Sequence, residues 1–300
     1  MKREETLASY LQERKRMIDD ALDRLLPGEE NDPPMIFKAI RYGLFAGGKR
    51  IRPILCMAAA EAVDGSADDV LPVACALECI HSYSLIHDDL PAMDNDDFRR
   101  GRPTSHKVFG EDVAILAGDA LLTEAFFLLA DMGQVSGTDA AVLLHVIRDV
   151  AHAAGIWGMI GGQVMDVQSE GKVVDREVLY GIHARKTGAM IRVSVKSGAL
   201  LAGARPDQMT ALAAYGDHIG LAFQIADDIL NVTGSHVRMG KNTGSDEHRG
   251  KATFPALMGV EESRSVLRQQ IIEGMADLAG FDEKADPLRL LAKFIMERDR

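Results

Sequence analysis

Two acidic clusters offer the clearest chemistry in this chain: Asp88-Asp89-Leu90-Pro91-Ala92-Met93-Asp94 and Asp227-Asp228-Ile229-Leu230-Asn231, each at the end of an otherwise apolar, helix-like segment. Carboxylates crowded in this way repel one another and call for cations. Oxygen donors without a matching set of histidine and cysteine ligands suit a hard ion such as Mg²⁺, which keeps waters and binds substrate phosphates alongside one or two carboxylates. The pattern implies a phosphorylated substrate held through magnesium.

Basic residues gather in the same manner, beside glycines: Gly47-Gly48-Lys49-Arg50-Ile51-Arg52-Pro53, Arg99-Arg100-Gly101-Arg102-Pro103, Lys186-Thr187-Gly188, and Lys241 and Lys251 flanking a glycine-containing stretch. Arginine forks and lysine point charges meet phosphate oxygens in such settings. Any one run alone reads as a solvated charged face. Together with two aspartate clusters they read as anion sites.

These groups must be positioned by helices. Leu7, Leu11, Ile18, Leu22 and Leu25 recur at helical spacing over residues 5–26, ending at Pro27-Gly28. Similar stretches follow, separated by breakers at Pro33-Pro34, Asp64-Gly65-Ser66, 133–137, 170–172, 203–206, 234–250 and Asp286-Pro287. Neither alternating strands nor a strand–helix–strand rhythm is visible, so the expectation is an all-α bundle of about ten or more helices. The acidic clusters then close helices near 68–89 and 206–231. Asp227 and Asn231 stand four apart and share a face. Pro91 interrupts the first helix and lets Asp94 bend back toward Asp88.

With 300 residues, 47% apolar and 26% charged, the chain suffices for one large core, and no linker-like break divides it. A net charge of −11 argues against nucleic acid as a partner. No apolar signal-peptide core is visible at the N-terminus, and no stretch approaches the roughly 18 uncharged apolar residues of a membrane span, so a cytoplasmic protein is expected. Cys56, Cys75 and Cys79 are too few for a disulfide framework. Cys75 and Cys79 with His81 and His87 match no common zinc spacing and read as packed core thiols.

At these motifs the chain resembles the trans-type isoprenyl diphosphate synthases, nearest to bacterial farnesyl diphosphate synthases. The likeness runs from about Phe37 to Arg300, through 47–53, the run 78–94, 99–103, Gly161-Gly162-Gln163 with Asp166, Lys186-Thr187-Gly188, Phe223-Gln224 and 250–255. One aspartate motif is weak evidence; seven elements in the family's order are specific. The resemblance implies a single polyprenyl synthetase domain over 1–300, an all-α bundle of the isoprenoid synthase type with a central cavity, working as a homodimer. It implies head-to-tail prenyl transfer: an allylic diphosphate (dimethylallyl or geranyl) ionises, isopentenyl diphosphate attacks the allylic carbon, and a proton is lost, giving (2E,6E)-farnesyl diphosphate.

The site residues carry over by motif. Asp88, Asp94 and Asp227 match the ligands of Mg²⁺, two or three ions per site, with Mn²⁺ as a substitute. Arg99, Lys186 and Lys241 match the allylic diphosphate contacts, with Lys251 near the same pocket. Lys49, Arg52, His81 and Arg100 match the metal-free isopentenyl diphosphate pocket. Thr187 and Gln224 match the groups whose oxygen dipoles steady the allylic cation, Lys186 adding its backbone carbonyl. Diphosphate is the expected proton acceptor. Independently of the resemblance, His81 lies seven residues before Asp88, about two turns, so both can face one cavity. Gln163 and Asp166 are three apart on a predicted helix and are expected to support the lysine and magnesium network. The polar segment 234–250, holding Lys241, reads as a water-excluding lid. Arg298 and Arg300 read equally as a closing basic tail or a frayed end.

Two positions bear on variation within the family. Asn231 stands where the usual second motif has aspartate, keeping an oxygen and losing a charge. Tyr83 and Ser84 precede Asp88 by five and four residues, about 6–8 Å along a helix. Spacing puts Ser84 near the aspartate face and Tyr83 on its flank; the resemblance implies that the ring limits product length at C15. The competing readings are a geranylgeranyl diphosphate synthase and a non-catalytic partner subunit of a prenyl synthase. A terpene cyclase would have no use for Lys49, Arg52, His81 and Arg100.

Overall fold

Prolines sit where helices begin, since the first turn needs no N–H from them. The computed structural model describes residues 3–135, 138–233 and 251–297. In chain order its helices are α1 (Arg3–Leu25), α2 (Pro34–Leu44), α3 (Ile51–Glu61), α4 (Leu71–Asp88), α5 (Ser105–Phe109), α6 (Glu111–Val135), α7 (Ala140–Ala154), α8 (Met159–Ser169), α9 (Arg176–His183), α10 (Ala189–Leu201), α11 (Pro206–Thr233), α12 (Phe254–Met258), α13 (Val260–Asp277) and α14 (Asp286–Met296). A π turn, Ala184–Gly188, joins α9 to α10, and a short 3₁₀ turn precedes α14. The fold is all-α, as expected. The helix expected over 68–89 starts at Leu71, beside Pro72, and ends at Asp88; the one expected over 206–231 runs on to Thr233.

Helix α4 is apolar around nearly its whole circumference and is correspondingly buried, with Val73, Leu77, Ile80 and Tyr83 in the core. It packs on α6, α3, α1 and α2, while α11 packs on α13, α10 and the π turn. One continuous core extends from Ile18 on α1 to Ile295 on α14. Cys56, Cys75 and Cys79 are buried thiols within it, and burial pushes Cys75 up to about 12. The α3–α10 approach depends on Gly198, whose added Cβ would stand 1.9 Å from the Cys56 carbonyl oxygen.

Arg50 occupies the left-handed region, φ 53°, at the start of α3. Its buried guanidinium donates to Asp19 (2.9 Å), Glu78 (2.6 Å) and the Leu44 carbonyl (2.9 Å), tying α1, α4 and α2 together. The middle cation of the first basic motif is therefore part of the scaffold.

Sequence reading anticipated no strands, yet residues 98–103 form a small antiparallel hairpin, β1 (Phe98–Arg99) with β2 (Arg102–Pro103). Arg100 and Gly101, at φ 53° and 75°, take the two left-handed positions of its turn. Two helical stretches bear on the membrane expectation. Glu111–Met132 and Ala140–Ser169 are long and apolar enough by composition to span a bilayer. Asp119 and Glu124 interrupt the first stretch too sparsely to disqualify it, and its helix packs on α4; the second is divided between α7 and α8.

Candidate active site

A cavity of about 480 Å³ opens where the C-terminal end of α4 faces α6, α8 and the π turn. Arg52, His81, Tyr83, Ser84, Asp88, Lys186 and Thr187 line it, together with the apolar Ile115, Met159, Ile160 and Val164. The seven-residue spacing thus does bring His81 and Asp88 to one cavity. Tyr83, only 6% exposed, meets His87 edge to ring at 5.7 Å, and its phenol is pushed up to about 12, first by burial and then by Asp88. Ser84 donates to the His81 carbonyl (2.8 Å).

The first aspartate motif bends as Pro91 requires. α4 stops at Asp88, and the Asp94 N–H donates to the Asp88 carbonyl at 2.7 Å, folding the third aspartate back beside the first. Burial raises the Asp88 carboxyl above its ordinary value, and Asp94 adds to the rise. Lys251 stands 3.1 Å from Asp94. Arg99, predicted as a diphosphate contact, grips Asp89 through Nε at 2.7 and 2.8 Å and through Nη2, with Asp96 at 3.8 Å. This clamp, which seats the hairpin against α4, was not anticipated. The signal available was geometric: neighbours on a helix point in different directions, so the two aspartates of a doublet meet different surroundings.

Opposite lies the π turn. Its close packing is made possible by glycines: an added Cβ at Gly162 would lie 2.3 Å from the Lys186 nitrogen, and one at Gly220 would lie 2.8 Å from the Gly188 Cα. Lys186 pairs with Asp166 at 2.6 Å, the support expected of the second half of the Gln163/Asp166 motif. Thr187 donates to Gln224 Oε1 (2.9 Å), and Gln224 Nε2 donates to Asp228 Oδ1 (2.9 Å). Asp228 also accepts the Phe254 N–H at 3.0 Å and lies 3.4 Å from His183 Nε2. Asp228 is buried, whereas Asp227 and Asn231 on the same helix are half-buried. The Asp228 network went unread in the sequence because its partners are distant along the chain.

A cationic group borders the cavity. Arg52 is half-buried at the cavity, its Nε a buried donor without a protein partner, and desolvation with Arg100 nearby pulls its guanidinium below the usual value. Burial, then Arg52 and Arg100, holds His81 well below 6.5 and hence neutral. Arg100 donates to the Gly47 carbonyl. An orphaned buried donor among crowded positive groups is the environment an anion completes. Lys49 instead places its ammonium 5.3 Å from the Phe294 ring centroid, over its face. Lys241, the 234–250 segment and Arg298 to Arg300 lie outside the described residues.

These residues fit a hard cation. Asp88 is a half-buried carboxylate whose ionised form desolvation makes costly without a positive neighbour, and Asp94 already attracts an ammonium. Among the described residues, no three His, Cys, Asp or Glu side chains gather into a metal cluster. An ion here would draw further oxygens from water and a substrate diphosphate.

Fold and site together define a helical enzyme whose largely apolar cavity is lined by a carboxylate and by cations. The polyprenyl synthetase family model matches residues 33–285, and the chain belongs to that family. It is 48% identical to a geranylgeranyl diphosphate synthase of Cyanophora paradoxa, over 98% of this chain and 97% of that protein. It is 44% identical to the farnesyl diphosphate synthase of Geobacillus stearothermophilus, over 98% of each. A geranyltransferase from Helicobacter pylori, solved with magnesium and isoprenyl diphosphate, superposes with a TM-score of 0.85 at 32% identity, covering 96% of this chain and 97% of that one. The protein is a prenyltransferase that condenses isoprenyl diphosphates, in a magnesium-dependent family.

Proposed function

We propose that this prenyltransferase joins dimethylallyl or geranyl diphosphate to isopentenyl diphosphate and releases (2E,6E)-farnesyl diphosphate. The observation that carries the C15 product is Tyr83, a buried aromatic in the wall of the cavity that ends at Asp88. Residues 1–300 act as one polyprenyl synthetase domain.

In this reading Asp88, Asp94 and Asp227 hold two or three Mg²⁺ ions, with Mn²⁺ able to replace them. Metal held by these three carboxylates would supply positive charge to the oxygens of the allylic diphosphate. Lys186, fixed by Asp166, and Arg99, fixed by Asp89, add positive charge on the diphosphate side, with Lys251 and Lys241. Arg52, His81, Arg100 and Lys49 hold isopentenyl diphosphate, and neutral His81 can donate one hydrogen bond without adding charge. Thr187 commits its proton to Gln224, so its oxygen lone pairs are what it presents to the cavity. The chain Asp228–Gln224–Thr187 polarises that oxygen, since linked hydrogen bonds strengthen one another. An electron-rich oxygen in an apolar cavity steadies the allylic carbocation without attacking it. The released diphosphate accepts the proton lost when the new bond forms.

Exposed Leu116 and Phe127 on α6 and Leu144 on α7 support a homodimer, and size-exclusion chromatography with light scattering checks it. A cytoplasmic location follows from the same reading.

The decisive experiment incubates the protein with Mg²⁺, dimethylallyl diphosphate and excess isopentenyl diphosphate, dephosphorylates the products and identifies the alcohols by mass spectrometry. Farnesol is expected, and Tyr83→Ala shifts the product to C20 or longer. Geranylgeraniol from the unaltered protein would keep the reaction and discard Tyr83 as the stop, a reading favoured by the Cyanophora relative's name. No prenyl alcohol would point to a partner-subunit role.

A further inference from the structure

The π turn that carries Lys186 and Thr187 also borders a second cavity, of about 640 Å³, which takes no part in the reaction above. α7, the turn after it, α10 and α11 supply its other walls. Four cations reach it, Arg148, Arg185, Arg192 and Lys196, against two carboxylates, Asp149 and Asp217. Asp149 is shared between Arg148 (3.2 Å) and Lys196 (2.8 Å), and Asp217 serves Arg192 (3.0 Å). Arg185 is bonded to the Gly181 carbonyl at 3.3 Å. In a chain of net charge −11, this is a local reversal of sign.

One wall is a flat aromatic platform. Trp157, 68% exposed, stacks on His152 with ring centroids 6.4 Å apart and planes 11° from parallel. The nearby apolar lining is small, Ala153, Ala189 and Val193, and offers no enclosed tunnel for a long prenyl tail. A planar ring can lie against the indole, while phosphate oxygens meet the guanidinium forks and the ammonium.

We infer that this second cavity binds a nucleotide-class ligand, its ring against Trp157 and its phosphates among Arg185, Arg192 and Lys196. Bound there, the ligand touches Arg185, the residue next to Lys186 on the same turn.

Trp157 is the only tryptophan in the chain, so indole fluorescence comes from the platform of this cavity. The test titrates ADP into the full-length protein in magnesium-free buffer while tryptophan emission is followed. Saturable quenching is expected. Arg192→Gln and Lys196→Gln, made separately and checked for helicity by circular dichroism, should each weaken the apparent Kd about tenfold, the loss of one charge-assisted hydrogen bond. Asp88→Asn, in the other cavity, should leave the titration unchanged. Absence of saturable quenching overturns the inference, as does quenching that both glutamine variants leave intact. Saturation by geranyl diphosphate but not by ADP removes the nucleotide assignment. None of these readouts depends on prenyl transfer, so failure here and failure of the proposed reaction are separately visible.

Discussion

Each aspartate motif places a pair of carboxylates side by side on a helix and then separates their work. Asp88 lines the cavity, while Asp89 is 3% exposed and clamped to Arg99. Asp227 is half-buried, while Asp228 is 3% exposed and engaged by Gln224 and the Phe254 N–H. Successive helical residues point about 100° apart, so such a pair joins an outward face to an inward one. The motifs differ in what the inner carboxylate holds. In the first it satisfies a cation and anchors the hairpin; in the second it satisfies neutral donors and fixes α12 and the Thr187–Gln224 pair. They differ also in the third position, which the first motif folds back and the second leaves one helical turn along as Asn231.

Removing the inner aspartate of the first motif should have the largest effect. Asp89→Ala leaves the Arg99 guanidinium in a mostly buried site without its carboxylate, costing about 4 kcal/mol of stability. Urea denaturation should show this loss, against less than about 1 kcal/mol for Asp88→Ala, which should abolish turnover. Equal destabilisation by the two variants would break the division between inner and outer carboxylates. Asp228→Ala should cost less, about 2–3 kcal/mol, because it strands neutral donors. Its kcat should fall as the Thr187 oxygen loses its orientation. Asp228→Asn keeps one acceptor and should recover part of both losses; no recovery would mean that charge on Asp228 matters more than hydrogen bonding.

A smaller effect separates the helices that carry the motifs. α4 also bears His81, which is held below its ordinary 6.5 by burial and by Arg52, Arg100, Arg99 and Arg50. The unfolded chain therefore binds this proton more readily than the folded one. Stability should fall as pH drops below 6.5, with a slope of up to about 1.4 kcal/mol per pH unit until the lowered folded value is reached. His81→Gln should flatten that slope in urea titrations over the same range. An unchanged slope would assign the acid sensitivity elsewhere.

Local rules made much of this legible. Apolar periodicity and prolines marked α4 and α11, Pro91 announced the return of Asp94, and the seven-residue step placed His81 with Asp88. What remained hidden depends on contacts that no local spacing encodes. Nothing near Asp228 in sequence shows that Phe254 and Gln224 converge on it, and nothing near Arg50 shows that it turns inward while Arg52 reaches the cavity. The π turn was equally unreadable, since it arises where Gly162 and Gly220 allow α8 and α11 to close on Lys186 and Gly188. The hairpin was missed because a left-handed arginine, rather than asparagine or a second glycine, fills its turn.

The third position gives the finest comparison. Asp94 carries a full charge and is held within hydrogen-bond reach of Asp88's carbonyl by its own N–H, whereas Asn231 has the same side-chain length on an unbroken helix and no charge. If the second motif is the weaker cation site for that reason alone, Asn231→Asp should restore affinity and leave the fold unchanged. One carboxylate added in a partly solvated site should lower the Mg²⁺ concentration for half-maximal rate roughly threefold, with kcat at saturating Mg²⁺ nearly constant. A titration that does not move would mean that the asymmetry between the motifs lies in backbone geometry, the bend at Pro91 against the straight run of α11, and not in the missing charge.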